Sequence, residues 1–146
     1  MSKKVIEQLK SIQSDAHVLY VKLHNFHWNV KGLQFHAIHT YTETLYDKMS
    51  GIYDDAAERV LQLGGKPVLT LGDIAKVSKI KDEKGDSFEA KYVLEAISKD
   101  FTYILEEYKK LSDLADKEGD KATVGLADEQ IAYLEKELWM LRQTLA

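Results

Sequence analysis

The sequence predicts an all-α fold, a bundle of four long helices, and three observations predict it. First, the breakers Gly32, Gly64-Gly65 with Pro67, Gly72, Gly85 and Gly119 divide the chain into long segments. Second, within those segments apolar residues recur at alternating steps of three and four, the spacing of one helix face. Third, the chain has 146 residues, 45% of them hydrophobic and 30% charged. That is enough for one domain with a continuous core, and too apolar for a disordered chain.

The first segment carries Val5, Leu9, Ile12, Ala16, Leu19, Leu23 and Phe26, a seam for packing along a neighbouring helix. The second runs from about His36 to Leu63 and stops at Gly64-Gly65. The third carries Val93, Ile97, Phe101, Ile104, Tyr108 and Leu111. Its expected start has Asp86-Ser87 as cap and Glu89 in the first turn. The fourth carries Ile131, Leu134, Leu138, Leu141 and Leu145, with Asp120 as cap after Gly119.

Between the second and third segments, Gly64 to Asp86 is too long for a turn and is expected to hold a short extra helix at Gly72–Val77. A crossover of that length can run back along a whole helix, which allows the helices on either side of it to be parallel.

Composition excludes several function classes. There are no cysteines, so disulfides, thiolate metal sites and cysteine nucleophiles are absent. No apolar run approaches the ~18 residues of a membrane span, and the start of the chain lacks the apolar stretch of a signal peptide. A cytoplasmic protein is expected. Twenty basic against twenty-four acidic residues give a net charge of −4, which argues against a dedicated nucleic-acid module and suits a cationic ligand.

The residues able to do chemistry cluster at His24, His27, His36, His39, Glu43, Asp47, Asp54, Asp55 and Glu58. Imidazole and carboxylate together suit iron, zinc or manganese. Singly, an acid on a helix is usually solvated surface and a histidine near a helix end usually caps or pairs. The spacing is what carries the argument. At 100° per residue from His39, Glu43 lies at about 40°, Asp54 at about 60° and Glu58 at about 100°, all in one arc. Along the axis, however, Asp54 lies about 22 Å from His39, and metal–ligand bonds are only ~2.0–2.2 Å. One copy of the helix cannot bring both ends to one metal.

Two antiparallel copies can. A two-fold axis between Lys48 and Met49 sets His39 level with Glu58, and Glu43 level with Asp54. Close backbone approach across that axis explains Gly51, which otherwise costs ~1 kcal/mol in a helix interior; the alternative is a tolerated surface glycine. A hairpin about Leu33 brings His27 level with His39. The expected site is then His27, His39 and Glu43 from one chain with Asp54 and Glu58 from its partner. Asp47 shares the arc and either pairs with Lys48 or supports the site from close by. His24 and His36 are read as surface or supporting residues.

The motifs His27-Trp28-Asn29-Val30-Lys31-Gly32, His39 with Glu43, and Asp54 through Gly65 resemble the signature of the Dps family of miniferritins. The resemblance runs along the whole chain, 1–146, as one ferritin-like domain, and includes Leu138-Trp139-Met140-Leu141 near the end. Larger ferritins use Glu-x-x-His pairs within one subunit, and this sequence has none. Glu43 stands where many relatives carry Asp, which leaves the relative affinity of the two iron positions open.

What the resemblance implies is a cage of twelve subunits with 23 symmetry. Ferrous iron would enter through acidic pores and be oxidised at the shared site, preferably by hydrogen peroxide. It would then be stored as ferric mineral, so protecting DNA; zinc can substitute at the site. Asp120, Asp128 and Glu129 are candidates for the pore, because clustered carboxylates steer a cation. Trp28, with Tyr41 or Tyr53, would intercept stray one-electron oxidants, or else these are core or interface aromatics. Relatives often bind DNA through a lysine-rich tail, but here the tail is at most Ser2-Lys3-Lys4. Direct DNA binding is therefore expected to be weak or absent at neutral pH, and is left open near or below the sequence pI of about 5.7. Two rivals remain, a non-catalytic helical interaction protein and a mononuclear zinc or manganese protein.

Overall fold

The computed structural model describes residues 3–146. Four long helices form the bundle: α1 (Lys3–Asn29), α2 (Phe35–Gln62), α4 (Ala90–Lys117) and α5 (Lys121–Leu145). The seven-residue helix α3 (Leu71–Val77) sits in the crossover, and two dipeptide strands, β1 (Val30–Lys31) and β2 (Phe88–Glu89), complete the elements. Every residue of the α1 and α4 seams read from the sequence is buried, and Ile131 and Leu145 of α5 are half-buried.

Side-chain pairings give the helix directions. Along α1, His27, Tyr20 and His17 meet His39, Tyr46 and Tyr53 of α2, so these two helices are antiparallel. Lys22, Asp15 and Gln8 of α1 meet Asp100, Tyr103 and Glu107 of α4, another antiparallel pair. It follows that α2 and α4 are parallel. The crossover between them must therefore return the length of the bundle, and α1 holds it there at three heights. The Gln13 amide exchanges two hydrogen bonds with Val68, at 2.8 and 2.9 Å. Asp15 accepts from the Ser78 hydroxyl at 2.7 Å and the Lys79 amide at 2.9 Å, and Asn25 donates to the carbonyls of Glu83 and Gly85. Gln13 and Asp15 are almost fully buried, so their polar groups need these partners. Burial pushes the Asp15 carboxyl above the usual range, partly offset by its three donors.

The start of α4 differs from the expectation. Phe88-Glu89 is extended and pairs in parallel with Val30-Lys31, and Phe88 is buried edge-on against Phe26 at 5.0 Å. This pairing holds the chain out of helical geometry past Asp86 and Ser87. The cap position falls on Glu89, with no side-chain hydrogen bond. At α5 the expected cap holds: Asp120 accepts from the Thr123 amide at 3.1 Å, directly after Gly119 in the left-handed region at φ +70°. Of the short basic tail, Lys3 and Lys4 open α1, and Ser2 lies outside the described residues.

Candidate metal centre

His27 lies in the last turn of α1 and His39 in the first turns of α2, on either side of the turn at Gly32. Their rings stack with centroids 3.6 Å apart. Each ring is fixed by the other's backbone: His27 Nδ1 is 2.7 Å from the His39 carbonyl, and His39 Nδ1 is 2.8 Å from the His27 carbonyl. A carbonyl only accepts, so both Nδ1 atoms must carry the hydrogen. In the neutral imidazoles both Nε2 lone pairs are then free, the tautomer that a metal requires. The Thr42 hydroxyl, 3.2 Å from His27 Nδ1, adds to the clamp. His27 is 6% exposed and His39 half-buried, so the pair is held rigidly at the bundle surface.

Glu43 follows His39 by one helical turn and is exposed. Its carboxylate does not converge with the two imidazoles within the chain. Farther along α2, Asp54, Asp55 and Glu58 bring carboxylate oxygens within 4.8 Å of one another. This is the one group of three or more potential ligands that converges among the described residues, and it contains no histidine. Asp55 joins it, although the sequence reading had not made it a ligand. Among the described residues, none of the carboxylates of Glu43, Asp54 and Glu58 has an ion-pair partner. The fold thus keeps the His27–His39 pair, between α1 and α2, apart from the Asp54, Asp55 and Glu58 carboxylates farther along α2.

The neighbouring residues sort differently from the expectation. Asp47 is exposed, but it does not pair with Lys48, whose ammonium lies 4.3 Å over the Tyr133 ring instead. Tyr41 faces α5 and donates to Glu137 at 2.9 Å, so it is a bundle contact and not a neighbour of the histidines. Tyr53 packs on His17 at 4.8 Å. Trp28 is 65% exposed, 5.5 Å from the His24 ring. Two aromatics touch the pair: Phe35, stacked on His39 at 5.1 Å, and Tyr46, 5.2 Å from His27 and stacked on His24 at 3.8 Å. Sequence reading missed Tyr46; the available signal was its place seven residues before Tyr53, on the stripe facing Tyr20 and His24. His24 donates from Nδ1 to the Tyr20 carbonyl, 2.8 Å away, and belongs to this aromatic packing, while His36 is exposed.

Of the pore candidates, Asp128 accepts from the Ser112 hydroxyl at 2.8 Å and Glu129 is exposed. Asp120 is used otherwise. It caps α5 and pairs with Arg59 at 2.8 Å, tying the end of α2 to the start of α5. Burial would push its carboxyl up, but the Thr123 hydroxyl and amide and the Arg59 guanidinium outweigh this and hold it below the usual range.

A family model described as a ferritin-like domain matches residues 6–146. Over 98% of its length and 99% of the relative's, the chain is 46% identical to the DNA protection during starvation protein of Helicobacter pylori. The chain belongs to the Dps family. It is similar to the crystal structure of Helicobacter cinaedi CAIP, with 48% identity, a TM-score of 0.97 and coverage of 97% and 99% of the two chains. It is also similar to the Dps protein of Vibrio cholerae, described as a member of a broad superfamily of ferritin-like diiron-carboxylate proteins. There the identity is 27%, the TM-score 0.94, and coverage 99% and 90%. The fold is therefore the ferritin-like bundle of Dps proteins, with the short helix in its crossover. Diiron-carboxylate chemistry fits the histidine and carboxylate donors on α1 and α2.

Proposed function

We propose that this Dps protein oxidises ferrous iron, preferably with hydrogen peroxide, and stores the ferric product in a homododecameric cage. The observation that carries this reading is the locked His27–His39 pair, where the end of α1 meets the start of α2, and the separate Asp54–Glu58 acids in the second half of α2. Joined across a two-fold axis, they supply two imidazoles and three carboxylates, counting Glu43, to one site. Carboxylates favour the ferric product, and few protein ligands leave positions open for the oxidant. The reaction consumes two ferrous ions, one peroxide and two protons and yields two ferric ions and two waters, so no hydroxyl radical is released. Zinc would occupy the same ligands without being oxidised. Adding peroxide to the ferrous-loaded protein should raise ferric absorbance. No growth in absorbance, with zinc or manganese held tightly, would show a mononuclear metal protein instead.

Iron entry is assigned to Asp128 and Glu129 at the start of α5, with Asp120 kept for capping. Asp128→Asn should slow uptake at low ferrous concentration and leave the cage intact. Unchanged uptake would remove it from the path.

Twelve chains at −4 give the cage about −48, which repels phosphates. At pH 7.5 and physiological salt, a gel shift should detect no stable complex with DNA, and tight, salt-resistant retardation would contradict this. Protection by removing iron and peroxide needs no contact. No helix among the described residues is long and apolar enough to cross a membrane, and the proposed site of action is the cytoplasm.

A further inference from the structure

Aromatic rings form an unbroken file along the α1–α2 seam. From His27, stacked on His39, the next ring is Tyr46 at 5.2 Å. Tyr46 stacks on His24 at 3.8 Å and lies 5.9 Å from Tyr20, edge to face. Tyr20 is itself 4.6 Å from His24. Tyr20 then meets His17 at 5.9 Å, and His17 meets Tyr53 at 4.8 Å. Tyr53 immediately precedes Asp54. The file therefore begins at the His27–His39 pair and ends one residue along α2 from Asp54. All of its members except His27 are half-buried at the surface of the single chain.

This arrangement has a consequence in the dimer. His27, His39 and Glu43 of a chain serve one shared site, and its Asp54 and Glu58 serve the second. Each file then joins the two oxidation sites of a dimer. We infer that Tyr46, Tyr20 and Tyr53 pass an electron between these sites, with His24 and His17 packed between them. The inference rests on the function proposed above.

The chemistry balances as follows. Peroxide at a site holding a single ferrous ion takes one electron from that iron. The second comes from Tyr46, which also releases its phenolic proton to water. The O–O bond breaks and, with two protons, two waters form. The tyrosyl hole moves through Tyr20 to Tyr53 and is filled by the ferrous ion at the other site, which becomes ferric, as the phenol regains a proton. The net reaction is still two ferrous ions, one peroxide and two protons to two ferric ions and two waters. Without the file, a lone ferrous ion reduces peroxide by one electron and releases a hydroxyl radical.

Tyr20 is the test position, because it touches no proposed ligand and every ring-to-ring step from Tyr46 to Tyr53 passes through it. Assembled wild-type, Tyr20→Phe, Tyr20→Trp and Tyr41→Phe proteins would be loaded anaerobically with ferrous iron. Peroxide is then added with a spin trap, and hydroxyl adduct is counted per iron oxidised. At one iron per site, Tyr20→Phe should release about fivefold more adduct than wild type, and Tyr41→Phe no more than wild type. Tyr20→Trp, which keeps an oxidisable ring, should restore the wild-type yield. At two irons per site the difference should vanish, since each site can then supply both electrons. Equal adduct at one iron per site would overturn the relay, and so would an excess that persists at two, which marks a local effect. Should Tyr20→Phe fail to assemble, Tyr53→Phe breaks the file at its far end and should give the same pattern. A wild-type protein that oxidises no iron would instead overturn the proposed function, through absorbance rather than adduct yield.

Discussion

Cages assembled from an equal mixture of unfolded His27→Ala and Asp54→Ala chains should recover about a quarter of the wild-type oxidation sites, if chains pair at random in a two-fold dimer. Each variant alone should oxidise iron about tenfold more slowly or worse, since every site lacks a ligand. In a mixed dimer one site collects both damaged halves and the other collects all five intact ligands. Half of the dimers are mixed and half of their sites are whole, which gives the quarter. The measurement is the initial rate of ferric absorbance against mixing ratio. A site built within one chain gives no recovery at any ratio, and that result would discard the shared arrangement. The structure motivates the experiment, because the only converging group of three or more potential ligands among the described residues lacks any histidine.

Gly51→Leu should convert the assembled protein to lower oligomers with little iron oxidation, while the separate chains keep their helical content. Within one chain nothing opposes the change: Gly51 is exposed, and a Cβ built there meets no atom within 4 Å. Judged on the chain alone, replacing a glycine in an exposed helix interior stabilises it by about 1 kcal/mol. A leucine therefore separates the two explanations of Gly51. If the backbones of two α2 helices meet near it, the side chain has no room and assembly fails. Light scattering and circular dichroism read the two effects separately. A Gly51→Leu protein that stays assembled and active, and melts higher, would move the two-fold axis elsewhere.

Three acids at and after the start of α5 illustrate how sequence and structure divide the work. Asp120, Asp128 and Glu129 look alike as acids near a helix start, but Arg59 reaches Asp120 from 61 residues away. That partner cannot be read from local sequence. The same holds for Lys48, whose neighbour in sequence is Asp47 and whose neighbour in space is Tyr133 on α5. Tyr41 and Tyr53 looked equally close to the histidines, yet Tyr41 turns to Glu137 and it is Tyr46 that touches His27.

By itself the sequence determined the four helices and the crossover helix, and it set His39 and Asp54 too far apart on one helix for a single metal. Apolar spacing dictates which face of a helix is buried, and a fixed rise per residue makes fifteen residues too long for one metal site; both are properties of a single element. Only the tertiary structure decided which side chains partner across elements. Strand pairing at Val30–Phe88 displaced the expected cap of α4, and crossed bonds to opposite backbones set the tautomers of His27 and His39. Such choices depend on the register between helices far apart in sequence. Several partners of similar energy compete for each polar side chain, and the packed core, by fixing which of them lies within reach, selects one.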